Sequence, residues 1–204
     1  MVTQFDIITQ ASIKLDANAV SSFDDVTREV EVFQPIYDQV KKSELGSYEW
    51  NFNTYIEPLT REVATPVNKA WLYQHLEPSN MMRLVTVFDE EGIAMAYLHE
   101  TQRIFTNLED PFAKFQRNLT ESDYPPFFID LLVARLVAEA AEPLSGDTGV
   151  INRAEAKYER VRKFAKAMDS KQNPSRPFIR NQSRYLAAFY GGTRGPRRFR
   201  PFGS

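Results

Sequence analysis

The stretch that most constrains the fold is PFFIDLLVARLVAEAAEPL, residues 126–144, because it is apolar on nearly every side of a helical wheel. Pro125 and Pro126 precede it, and proline is favoured in the first turn of a helix. Its polar stripe consists of Arg135, Glu139 and Glu142. A helix with so little polar surface needs other elements around it. The pattern therefore predicts a buried central helix that stops at Pro143.

Amphipathic helices are predicted on both sides of the middle of the chain, within residues 4–45 and 126–168. In the first region, one apolar stripe at helical spacing contains Val26, Val30, Phe33, Tyr37 and Val40. Ser22 is the expected N-cap of this helix, and Pro35 is expected to kink or divide it. In the second region, a helix from Gly149 to Met168 has an apolar face made of Val150, Ala154, Tyr158, Val161, Ala165 and Met168.

Between the helical regions the chain has short runs rich in aromatic and β-branched residues. These runs are 50–59, 83–89, 93–100, 102–107 and 112–118. They predict an antiparallel sheet of four or five strands. The expected fold class is α+β: a helical bundle with a small antiparallel β-sheet inserted at about 50–118. This domain spans residues 1–170, and an extended C-terminal arm, residues 171–204, follows it.

Composition indicates a soluble globular protein, since 43% of the residues are hydrophobic and 25% are charged. The chain has no cysteine, which excludes disulfides and thiolate metal sites. The N-terminal MVTQFDIITQ lacks a basic and then apolar run, so we expect no secretory signal. The most apolar stretch is interrupted by charges and by Pro143, so we expect no insertion into a membrane.

We find no sequence pattern that nominates a catalytic, metal or cofactor site. His75 and His99 lie in separate strand-like runs without ligand spacing, and both are interpreted as structural or surface residues. The acid pairs Asp24–Asp25 and Glu90–Glu91 are explained by a helix start and a solvent-facing turn. GGTRG, residues 191–195, lacks the preceding strand and following helix of a phosphate loop. We therefore expect a protein that is not an enzyme and needs no cofactor or metal.

The C-terminal segment differs from the rest of the chain in charge. Residues 170–204 contain eight of the 25 basic residues and none of the 27 acidic ones, so the preceding part has a formal charge of −10. Aromatic residues lie between these arginines. The candidate binding residues of the arm are Arg176, Phe178, Arg180, Arg184, Tyr185, Phe189, Arg194, Arg197, Arg198 and Arg200.

Two kinds of partner could explain such an arm. Arginine and aromatic residues are enriched at protein–protein hot spots, which favours an arm that binds a protein. The same residues neutralise phosphates and stack on bases, so nucleic acid is the alternative. The acidic remainder of the chain would repel a polyanion, and we therefore place the protein partner first.

The predicted helix at 149–168 also has a densely charged outer face. Its residues are Arg153, Glu155, Lys157, Glu159, Arg160, Arg162, Lys163 and Lys166. Such a face is most simply a solvated surface, and a partner surface is the alternative.

The order of motifs resembles the tail tubular protein A family, the head-to-tail adaptors of short-tailed phages. Members have a helix with a tyrosine near its end and a Trp-Asn-Phe opening of the sheet, here Tyr37 and Trp50–Asn51–Phe52. They also have a Leu-Ala-rich helix that begins with proline and an aromatic residue and ends in Pro-Leu-x-Gly, here Pro126–Phe127 and 143–146. The run WLYQHLEPSNMMRLVTV, 71–87, resembles the family's stretch that leads into a strand. The resemblance covers roughly residues 5–170.

The resemblance implies a structural virion protein of the phage tail or neck, assembled in the host cytoplasm. Members form a dodecameric ring beneath the portal protein, continue the DNA channel and support the tail nozzle protein. Double-stranded DNA would pass through the lumen without sequence-specific binding. The charged helix face would then lie between neighbouring subunits, and the arm would bind an acidic surface of the portal. The alternative function is a nucleic-acid-binding protein anchored by the basic arm.

Overall fold

The computed structural model describes residues 2–18, 20, 22 and 27–172. This part of the chain contains four α-helices and seven β-strands in two small antiparallel sheets, which confirms the α+β class. The helices are α1 (Gln4–Lys14), α2 (Arg28–Gly46), α3 (Pro126–Ser145) and α4 (Thr148–Gln172). The strands are β1 (Thr54–Pro58), β2 (Tyr73–Leu76), β3 (Met81–Phe88), β4 (Ala94–Met95), β5 (Tyr97–Glu100), β6 (Arg103–Thr106) and β7 (Phe112–Arg117). Short 3₁₀ turns are formed by Asn51–Asn53 and Glu121–Asp123.

Helix α3 is the centre of the bundle and packs against α1, α2 and α4. Leu131, Leu132, Val133 and Leu136 are fully buried, as the apolar pattern predicts. Pro126 occupies the first turn, and Gly146 ends the helix in the left-handed conformation at φ 69°. Helix α3 therefore provides the surface on which the other three helices assemble.

The strands form two sheets. The larger has the order β1-β7-β3-β4, and the smaller has the order β2-β6-β5. The chain passes between the two sheets four times, after β1, β2, β4 and β6. A small apolar cluster of Leu59, Val87, Ile104, Ala113 and Phe115 lies within this part of the molecule.

The aromatic junction between the helices and the strands is centred on Trp50. Its ring is fully buried, and its indole N–H donates to the carbonyl oxygen of Glu44 at 2.8 Å. Phe128 of α3 meets it edge to face at 5.3 Å between ring centroids, and Phe52 lies 4.9 Å from Phe128. Trp50 and Phe52 thus anchor the start of the strand region in the helical core.

Several local expectations are wrong in detail. Helix α2 is not divided at Pro35, whose side chain is exposed, so the carbonyl group that it leaves without an N–H partner can face water. Its N-cap is Thr27 instead of Ser22: the Thr27 hydroxyl accepts from the N–H of Val30. Helix α3 includes Pro143 and ends at Ser145, because the N–H of Gly146 closes the last turn.

The strand region differs from its prediction in two ways. Residues 51–53 form a 3₁₀ turn instead of extending β1, because burying Trp50 in the helical core turns the chain. Strand β2 is not among the five predicted runs, although His75 is placed in a strand-like run, and the single predicted sheet is in fact two, because β6 pairs with β2 and β5. Helix α4 reaches Gln172, beyond the predicted end at 168.

Candidate interaction surface

Helix α4 is fastened to the bundle through a buried tyrosine. Tyr158 donates its phenol hydrogen to Oε1 of Glu44 at 2.6 Å, and the guanidinium of Arg135 lies 4.9 Å from the ring centroid. Burial, together with the neighbouring Glu44 carboxylate, raises the pKa of Tyr158 to about 12. The phenol is therefore protonated at neutral pH and remains a donor to Glu44.

The C-terminal end of α4 is fixed by a buried carboxylate. Asp169 accepts hydrogen bonds from the Asn51 backbone N–H at 2.9 Å and from the Asn51 side-chain amide at 3.0 Å. Burial raises the pKa of Asp169, and the hydrogen bonds from Asn51 act in the opposite direction. One turn earlier, the Lys166 ammonium lies 5.0 Å from the Tyr48 ring centroid. These contacts set the direction of α4, and hence of its outer face.

The charged residues predicted on this face do lie together along the outside of α4. Six of the eight are exposed, and Arg162 and Lys166 are half-buried. Helix α4 has seven basic residues against three acidic ones, and one of those acids is the buried Asp169. Within the described part of the chain, no charged side chain of α4 forms an ion pair. The outer face is therefore strongly basic, and its charges are not neutralised by ion pairs within the described part of the subunit.

A groove runs between α1, α3 and α4 at the edge of this face. Its cavity volume is about 350 Å³, and it is lined by apolar side chains of Ala134, Val137, Val161 and Phe164. Its charged lining consists of Lys14, Lys157, Arg160 and Asp130. We call this feature the α4 groove.

A second hollow of about 290 Å³ adjoins the α4 groove and shares Lys14, Val137 and Lys157 with it. Arg153 and Asp16 are the further charged residues of its lining. The two hollows together combine an apolar floor with four basic and two acidic groups. Such a surface suits a partner that is apolar in part and acidic.

Phe164 was not predicted as a site residue. Its side chain is 59% exposed, although the sequence places it between Lys163 and Ala165 in the middle of α4. It lies three residues after Val161 and four before Met168, at the edge of the apolar face of α4. An aromatic residue at the edge of an apolar stripe, among charged residues, is the signal that could have identified it, since exposed aromatic residues beside arginine are typical of interfaces.

The predicted arm residues Arg176, Phe178, Arg180, Arg184, Tyr185, Phe189, Arg194, Arg197, Arg198 and Arg200 lie outside the described residues. Their role as partner-binding residues stays a prediction.

No protein-family model and no curated protein matches the sequence. The described helices include none that is long and apolar enough to cross a membrane. Residues 2–18, 20, 22 and 27–172 contain no group of three His, Asp or Glu that could hold a metal ion.

Proposed function

We propose that this chain is a structural virion protein, a head-to-tail adaptor of a short-tailed phage. In this proposal it forms a homo-oligomeric ring beneath the portal protein, continues the DNA channel and supports the tail nozzle. The proposal depends on the ordered motifs that resemble the tail tubular protein A family. The dodecameric copy number comes from that resemblance alone.

The observation that carries the proposal is a separation of charge within the folded chain. The segment between α2 and α3, residues 47–125, contains twelve acidic and six basic residues. Helix α4 contains seven basic residues and three acidic ones, and none of them forms an ion pair within the described part of the subunit. Opposite charges on different elements favour a head-to-tail contact between identical subunits, and such contacts form a ring when the rotation between neighbouring subunits closes.

Exposed apolar side chains supply a second argument. Residues 47–125 have large hydrophobic side chains with much of their surface exposed, namely Ile56, Val63, Val67, Leu72, Leu76 and Ile93. Exposed apolar groups mark a protein-binding surface where they form a contiguous patch, and in this proposal these residues do so. An adaptor needs such surfaces on two sides, one for the portal and one for the nozzle.

In the same proposal, the basic arm binds an acidic surface of the portal. Arginine suits this role because its planar donors pair with carboxylates in a two-point geometry. Acidic side chains along the channel would repel DNA phosphates, so that double-stranded DNA passes without being held.

The test is co-sedimentation with the purified portal ring of the same phage. The full chain is compared with a version ending at Gln172, because α4 extends to that residue. We expect the full chain to saturate the ring and the shortened chain to remain in the supernatant. Equal binding of both would remove the arm from the proposal, and no binding of either at modest salt would contradict the adaptor function.

The basic face of α4 also favours the second candidate, a nucleic-acid-binding protein. If this is correct, the full chain binds duplex DNA with a steep dependence on salt concentration. The binding would weaken when the arm is removed and again when Lys157 and Arg160 are changed to glutamate. DNA binding that is absent at 50 mM salt would exclude this candidate.

A further inference from the structure

The α4 groove combines apolar and charged side chains in a way that is not typical of a surface exposed only to water. Phe164 exposes 59% of its side chain at the groove, beside the basic groups of Lys157 and Arg160. An aromatic ring and an arginine at the edge of an apolar cavity are the components of a protein-binding hot spot. The required occupant has an apolar side chain for the floor and carboxylates for the rim.

One turn of this same chain has those properties. Between β3 and β4, the sequence FDEEGIA places Asp89, Glu90 and Glu91 before Ile93, whose side chain is 49% exposed. We propose that the α4 groove holds this β3–β4 turn of a second copy of the chain. The inference deepens the proposed function, because it rests on the homo-oligomeric assembly and names the surfaces that form it.

The turn is organised before any binding occurs. Oδ1 of Asp89 accepts from the N–H of Ile93 at 2.8 Å, and the carbonyl oxygen of Asp89 accepts from the N–H of Gly92 at 3.0 Å. Gly92 has φ 78°, a conformation that favours glycine. A turn held in this way loses little conformational entropy on binding, which favours affinity.

Two other occupants fit the groove less well. The arm has eight basic residues and no acidic one, so the basic groove would repel it. Duplex DNA would pair with Lys157 and Arg160, but it would gain little from the apolar floor. The carboxylates of the turn complement the basic groups of the groove, and the side chain of Ile93 complements its apolar floor. Because groove and turn are different surfaces, the contact is head-to-tail and repeats from copy to copy.

Site-directed cross-linking provides the direct test, because the full chain contains no cysteine. Ala94→Cys is placed beside the turn and Ala167→Cys one helical turn beyond Phe164; both side chains are exposed. The two single variants are mixed, as free chains at high concentration and after assembly on the portal ring, and treated with a short bis-maleimide. We expect a cross-linked dimer that contains one copy of each variant.

The matched control replaces the turn position with Ser79→Cys, which is also exposed but lies at the opposite end of β3 from the turn. This control is expected to give less than a tenth of the cross-linked product with Ala167→Cys. Equal yields from Ala94→Cys and Ser79→Cys, or no product from the Ala94→Cys pair in either sample, would overturn the proposal.

Charge reversal gives a second, independent measurement by sedimentation. Lys157→Glu with Arg160→Glu is expected to weaken self-association at least about tenfold, and Glu90→Lys with Glu91→Lys to do the same. Mixing the two reversed variants restores association, because each now complements the other. Lys42→Glu with Lys69→Glu changes the net charge equally at exposed positions outside the groove and is expected to have little effect. Loss without restoration in the mixture would contradict the pairing of groove and turn.

These results separate the inference from the proposed function. Portal binding without the Ala94–Ala167 cross-link would leave the adaptor function standing and overturn the groove interface. The cross-link in free chains that do not bind the portal would support the interface and contradict the adaptor function. If the Lys157→Glu, Arg160→Glu variant loses duplex DNA binding but keeps the cross-link yield in mixtures, the groove face binds DNA and the proposed contact is wrong.

Discussion

The helical bundle and the strand region of this protein are stabilised in different ways. The bundle has one large core in which α3 and the rings around Trp50 are buried. The strand region has a core of only five buried residues. It also contains five of the seven ion pairs found among the described residues, Arg61–Glu109, His99–Glu77, Arg103–Glu62, Lys114–Glu49 and Arg117–Glu57. Burial therefore dominates in the bundle, and surface contacts contribute more among the strands.

This difference suggests a division of roles. Six of the eight large hydrophobic side chains found exposed in the described part of the chain belong to residues 47–125. The other two are Ile13, next to the groove residue Lys14, and Phe164 in the groove itself. A rigid bundle that carries a weakly packed, apolar-surfaced strand region suits a protein whose strand region is completed by partners.

The largest expected effect is the loss of Trp50 from the bundle. Trp50→Ala should lower the free energy of unfolding by about 3–5 kcal/mol, because it leaves a cavity at the centre of the aromatic cluster. Trp71→Ala is the matched control in the strand region, where the ring is half-buried, and it should cost less than about 1 kcal/mol. Urea unfolding followed by circular dichroism measures both. Equal losses of unfolding free energy in the two variants would contradict the difference between the two regions.

A smaller loss of stability is expected when the hydrogen bond that holds α4 against the bundle is removed. Tyr158→Phe removes the donor to Oε1 of Glu44 and leaves a carboxylate whose buried Oε2 already has no hydrogen-bond partner among the described residues. The expected loss is about 1.5–3 kcal/mol, typical of a hydrogen bond to a charged group. Tyr48→Phe is the control, since the hydroxyl group of Tyr48 makes an exposed contact with Ser170. If Glu44→Gln does not recover part of the stability in the Tyr158→Phe background, the buried charge is not the cause.

The strand region allows a test of its surface contacts at Arg117. The guanidinium lies 4.5 Å from the Tyr55 ring centroid and donates to both carboxylate oxygens of Glu57 at 2.6 Å. Arg117→Lys keeps the charge but loses the planar stacking, so we expect a loss of about 0.5–1 kcal/mol. Arg83→Lys, at an exposed position, should be near neutral. A loss above 3 kcal/mol at Arg117 would show that surface contacts in this region rival the bundle core.

Comparison with the sequence expectations shows which interactions are readable from local pattern. Helix α3 was predicted because its apolar residues are consecutive, and α2 because Phe33 and Tyr37 repeat at helical spacing. Both patterns depend only on residues that are near neighbours in the sequence. Strand β2 is not among the predicted runs because its pairing with β6 joins residues about 30 positions apart. The Asp169–Asn51 contact joins residues 118 positions apart, and no local pattern indicates it.

For the same reason, the candidate surface could be predicted from the sequence only in part. The charged face of α4 follows from helical periodicity alone. The groove required the position of Lys14 on α1 and of Val137 on α3, which depends on how three helices pack. The exposed Phe164 was visible in the sequence as an aromatic residue at the edge of the stripe, but its significance depends on the cavity beside it.

The smallest expected change in stability occurs only at acid pH and comes from a buried histidine of the strand region. His75 is buried; its Nε2 lies 3.2 Å from the Leu108 carbonyl oxygen, and its buried Nδ1 has no hydrogen-bond partner among the described residues. Burial lowers the pKa of His75, although the Leu108 contact acts in the opposite direction. The unfolded chain therefore binds a proton at a pH where the folded chain does not. This contribution to the free energy of unfolding should be fully present above about pH 6.5, the ordinary histidine value, and should fall as the pH drops from there toward the lowered pKa.

His75→Gln should remove this part of the pH dependence between pH 7 and 5, measured by urea unfolding. His99→Gln, whose contact with Glu77 is exposed, should keep it. An unchanged slope in His75→Gln would mean that the buried imidazole is not the titrating group, and that acid destabilisation starts from the carboxylates of the strand ion pairs.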